Sequence, residues 1–89
     1  LELDDALAFV RGHRAKPFFL YLALTLPHAN PAAGANGLDA PGADEFAAKD
    51  WPAAEKGYAA QVRALARSVG RVLDLLVEMK LDKDTLVLF

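Results

Sequence analysis

"PFFLYLALTLPHANP", residues 17–31, is the stretch on which the reading of this chain turns. Apart from Pro17, every residue from Phe18 to Leu24 is apolar, as in a strand buried on both faces. Pro17 is compatible with that, because the first residue of a strand need not donate to a ladder. The run then stops at Pro27 and presents His28, an ionisable side chain, followed by Asn30. In α/β proteins ligands bind beyond the carboxyl ends of the strands, so a histidine at such an end is a candidate site residue.

Working outward, "LDDALAFVRGHR" (residues 3–14) spaces Leu3, Leu7 and Val10 as one face of a short helix. Asp4 and Asp5 fall in its first turn and Arg11, His13 and Arg14 in its last, matching the helix dipole at both ends. His13 therefore reads as a C-terminal cation. Residues 26–52 are punctuated by Pro27, Pro31, Gly34, Gly37, Pro41, Gly42 and Pro52, which predicts a long loop. Loops of that length are often functional. Phe46 and Trp51 are its anchors, with a ligand stack on Trp51 as the alternative.

Residues 53–80 carry the clearest helical period. Tyr58, Val62, Leu65, Val69, Val72, Leu73, Leu76 and Val77 form an apolar stripe, with Arg63, Arg67, Arg71, Asp74 and Glu78 on the solvated side. Gly70 and Ala66 make a flat patch, so a neighbouring backbone is expected close to Gly70. "LDKDTLVLF" (residues 81–89) then predicts a turn and a second buried strand at 85–89. The expected fold is thus α/β: helix, strand, long loop, helix, strand, with strands 17–25 and 85–89 parallel through a right-handed crossover.

Composition narrows the function. With 10 basic and 12 acidic residues in 89, nothing argues for a nucleic-acid partner. There is no cysteine, hence no disulfide, thiolate metal site or cysteine nucleophile within these residues. No apolar stretch approaches the ~20 residues of a membrane helix. A small domain buries only about 60–65% of its unfolded surface, yet 54% of these residues are hydrophobic. That excess of apolar strand, and termini set in apolar runs, predict a piece of a larger α/β protein.

Several blocks in order carry a resemblance: "KPFFLYLALTLPHAN", "NGLDAP", "KDWPAAEKGYAAQV", and "RSVGRVLDLL" before "LDKDTLVLF". Together they resemble the type I sulfatases, the arylsulfatase-like enzymes of the alkaline phosphatase superfamily, along essentially the whole chain. The resemblance implies that residues 1–89 are part of a sulfatase catalytic domain with an alkaline-phosphatase-like sandwich, whose intact parent hydrolyses sulfate esters. It implies a formylglycine nucleophile upstream, in a Cys/Ser-x-Pro-x-Arg motif. It also implies a calcium site built from upstream aspartates and an Asp-Asn pair just beyond Phe89.

The one family residue present is the histidine of the Pro-His motif, His28, which by resemblance contacts the substrate's sulfate. Asn30 is a second candidate for that pocket; an Asx-type turn before Pro31 explains it equally well. Sulfated small molecules or carbohydrates are the implied substrates, and a periplasmic or extracellular location goes with the family. The chain departs from the pattern at Ala66, where many relatives carry Asp, and at Pro31, where the nearest patterns carry Asn. Loop shape and substrate choice are what these departures affect. The alternatives are a phosphodiesterase or phosphonate hydrolase of the same superfamily, distinguished by its nucleophile, and a non-catalytic α/β interaction module.

Overall fold

The computed structural model describes residues 2–28 and 43–89. Helix α1 is Glu2–His13 and helix α2 is Ala53–Glu78, with 3-10 turns at Ala43–Phe46 and Asp82–Asp84. Among the described residues there is no strand and no sheet. The expected α/β sandwich fragment with two parallel buried strands is therefore not what the chain forms. A strand is defined by its ladder to a neighbour, and neither 17–25 nor 85–89 has one. An apolar run shows that a segment is apolar, not that it has a ladder partner.

The chain divides into two compact units: Leu1–Leu24 with Ser68–Phe89, and Thr25–Arg67. In the first, Val10 of α1 packs against Leu75, Leu76 and Met79 of α2, all four buried. Leu7, Phe9, Phe18, Leu20 and Leu81 close around them. Phe9 and Phe18 meet edge-on, with ring centroids 5.9 Å apart. Burial along 18–24 alternates with a period of two, which is the pattern of a chain covered on one side only. Phe18 and Leu20 turn inward, while Phe19 and Tyr21 are 87% and 81% exposed. Two-sided burial would need a second layer, and within this unit the helices supply one.

Both ends of α1 follow the dipole, with Glu2, Asp4 and Asp5 in the first turn and Arg11 and His13 in the last. The His13 Nδ1–H donates to the Phe9 carbonyl at 2.8 Å, and its ring stacks on Phe9 with centroids 4.2 Å apart. Its role is to finish the helix. Arg71 pairs with Asp4 at 3.6 Å and Arg11 with Glu78 at 3.7 Å.

The buried face of α2 matches the expected stripe only in part: Leu76 is buried and Leu65, Val69 and Val72 are half-buried. In the first unit it is Leu75, Leu76 and Met79; in the second it is Gly57, Ala60 and Gln61. Tyr58, Val62, Leu73 and Val77 are instead exposed. The helix is apolar over two adjoining faces, and periodicity does not say which of them tertiary packing covers. Gly70 also departs from expectation: among the described residues a Cβ built there meets nothing within 4 Å, so none of their backbone lies against it.

The end of α2 is a Schellman motif. The Leu81 N–H donates to the Leu76 carbonyl at 2.8 Å and the Lys80 N–H to Val77 at 3.0 Å. Leu81 then packs on the cluster that contains Leu76, the apolar contact that accompanies this cap. The residue turning the chain is Lys80, at φ 59°, where a Cβ costs roughly 1–2 kcal/mol and glycine does not.

Two stability outcomes follow from these backbone features. Gly70→Ala restores a helix former in open space and should stabilise by about 1 kcal/mol. Lys80→Gly should stabilise by about 1 kcal/mol by removing the left-handed penalty. For a chain this small each corresponds to a rise of about 4–8 °C in melting temperature, read by circular dichroism. A fall on Gly70→Ala would mean that something does pack against that position.

Candidate functional site

The histidine singled out from sequence lies in the second unit, at the end of an irregular segment. The Leu26–Pro27 peptide is cis, and His28 follows with its side chain exposed. The His28 backbone N–H donates to Gln61 Oε1 at 2.8 Å. Gln61 is 2% exposed and is the one buried polar side chain among the described residues. Helix α2 thus supplies a fixed acceptor, across 33 residues of sequence, for the backbone that presents the imidazole. Asn30, the second candidate, lies outside the described residues.

The stretch before α2 is tied to the same part of the helix. Glu45 accepts from Arg63 Nε at 2.7 Å through Oε2 and from Arg67 at 3.0 Å through Oε1. The Lys56 ammonium donates to the Ala47 carbonyl at 3.1 Å. Phe46 and Trp51 stack on one another at 5.7 Å, and the Lys49 ammonium lies 5.7 Å from the Trp51 ring centre. Trp51 is thereby engaged with its own loop. Arg63 and Arg67, expected as a solvated row, share one carboxylate while remaining more than half exposed.

Chemically, an exposed imidazole offers ring N–H donors to an anion, and its backbone is held from a helix. Among the described residues no group of three or more His, Cys, Asp or Glu side chains is placed to hold a metal ion. These residues do not fit a calcium site of their own. In the first unit an open groove of about 210 Å³ is lined by Leu7, Arg11, Arg71, Asp74, Leu75 and Glu78. It is smaller than the roughly 300–1,000 Å³ of ligand pockets. No described helix is long and apolar enough to cross a membrane.

Comparison with protein-family models, with curated proteins and with solved structures finds no match. The resemblance to sulfatases rests on the sequence blocks alone.

Sequence reasoning singled out His28 and did not single out Gln61 or Glu45. Gln61 carried one signal: a polar residue directly beside Ala60 on a helix flank otherwise made of small side chains. Glu45 carried none, because its partners are 18 and 22 residues away in sequence and only folding joins them.

The Glu45 contacts generate a salt-dependent outcome. Half-exposed pairs of this kind are worth about 0–1 kcal/mol each. Glu45→Gln should lower the melting temperature slightly at low ionic strength, and the difference should close in ~1 M salt, where the screening length is about 3 Å. A loss that persists at high salt would show that the carboxylate acts through hydrogen bonds rather than charge.

Proposed function

We propose that the chain is the central part of a type I sulfatase and that His28 is its contact to the sulfate group. The observation that carries this reading is the His28 imidazole, exposed while its backbone is held by a buried side chain of α2. The ordered sequence blocks supply the family; the geometry supplies a donor suited to the role.

Hydrolysis of a sulfate ester moves negative charge onto the sulfate oxygens and the leaving oxygen. N–H donors aimed at those atoms lower the barrier, and they do so most when held in place beforehand. An imidazole can serve as such a donor, or pass a proton to the leaving alcohol. The nucleophile and calcium that the resemblance implies are assigned to other parts of the parent, and the described residues hold neither. The contribution of this chain is therefore recognition and charge stabilisation, on a sulfated small molecule or carbohydrate. A periplasmic or extracellular setting belongs to the same proposal.

A second reading, a non-catalytic interaction module, is favoured by the exposure of Phe19, Tyr21, Leu86, Leu88 and Phe89, each above 80%. Large apolar side chains at such exposure mark a contact surface where they join in one contiguous patch.

In the intact enzyme His28→Ala should lower kcat on a generic aryl sulfate by about 10²–10³-fold, the usual cost of one such donor. The 89-residue chain alone should show no turnover above its own His28→Ala control. Full activity of the parent variant would remove His28 from the mechanism. Inactivity of the parent on sulfates together with activity on phosphodiesters would move the chain to the other branch of the superfamily.

A further inference from the structure

The His28–Gln61 contact gives weight to a residue that the sequence reading did not single out. We infer that Gln61 is a positioning residue, whose buried amide sets where the His28 imidazole meets a sulfate; this rests on the sulfatase reading above. A buried amide is costly unless hydrogen-bonded. The flank of α2 that carries it is otherwise made of small residues, Gly57 and Ala60 being the buried ones. An apolar side chain of similar length would fill that space without any need for a partner. What the amide adds is an acceptor, and at 2.8 Å the group it accepts from is the His28 N–H.

The direction of the bond matters. A contact to the His28 side chain would compete with substrate for the ring nitrogens. A contact to the backbone N–H fixes the Cα of His28 and leaves both ring nitrogens open to an anion. The anchor stands on a helix, which holds a position more rigidly than loop-to-loop contacts do. No buried side-chain nitrogen or oxygen among the described residues lacks a partner.

The chain has two histidines, which makes the test direct. His13 is stacked on Phe9 and bonded to its carbonyl, and serves as the internal control. Inorganic sulfate is titrated into the 89-residue chain, against sodium chloride of equal ionic strength, while NMR follows the ring signals of both histidines and the exchange rate of the His28 amide. In the wild-type chain the His28 ring should shift saturably with sulfate and the His13 ring should not.

Gln61→Met keeps side-chain length and removes the acceptor. It should speed His28 amide exchange and weaken the sulfate response about fivefold, the equivalent of roughly one net hydrogen bond. Gln61→Glu keeps an acceptor and should restore slow His28 amide exchange, while its added negative charge opposes sulfate. An unchanged sulfate response in Gln61→Met, with wild-type binding present, overturns the role of Gln61 and leaves the sulfate reading standing. A wild-type His28 ring indifferent to sulfate overturns the sulfate reading, and the positioning role with it. If Gln61→Met does not fold, Gln61→Glu decides through the amide: His28 N–H exchange as fast as that of an unbonded amide, while the chain stays folded, overturns the inference.

Discussion

Burial of Val10 among Leu75, Leu76 and Met79 joins α1 to the end of α2, and the rest of the first unit depends on it. Each such side chain contributes about 1.5–3 kcal/mol when fully buried, and helices as short as α1 are marginal without tertiary packing. Around this contact everything else in the unit is arranged. Phe18 and Leu20 have a surface to lie on, the Schellman turn places Leu81 against the same cluster, and the two ion pairs sit where the helices already meet. The ion pairs are exposed and add little by themselves.

The second unit is held differently. Its described contacts to α2 are mostly polar: Gln61 to the His28 backbone, Arg63 and Arg67 to Glu45, Lys56 to Ala47. Hydrogen bonds and ion pairs are directional, so they set geometry well even where each contributes modestly to stability. That is a suitable way to hold a segment that, in the proposed reading, presents one side chain. The buried member, Gln61, is the one that water cannot replace; the exposed members exchange readily with solvent and salt.

For the proposed chemistry, this division separates two requirements. A donor to a developing oxyanion must be accessible, and it must also be placed in advance. At His28 the ring is accessible and the placement is delegated to a residue of α2. The large exposed side chains Phe19, Tyr21, Leu86 and Leu88 belong to the other unit, where apolar burial, rather than polar anchoring, is the organising interaction.

The amino-acid sequence by itself determined the helices. The 3.6-residue period, the acidic first turn and basic last turn of α1, and Pro52 before Ala53 are local properties, and the helices formed close to where they predict. It also determined that 17–24 is apolar and that His28 ends that run. It did not determine a sheet: the apolar run of 17–24 is compatible with burial on one side or two, and pairing is a relation between segments. Nor did it determine which face of α2 is buried. Two adjoining faces are apolar, and the choice fell to whichever let Val10 reach Leu75, Leu76 and Met79. Gln61 and Glu45 became meaningful only once folding brought them to His28, Arg63 and Arg67. Local periodicity is written in neighbouring residues, whereas the partner of a buried amide is chosen by the fold.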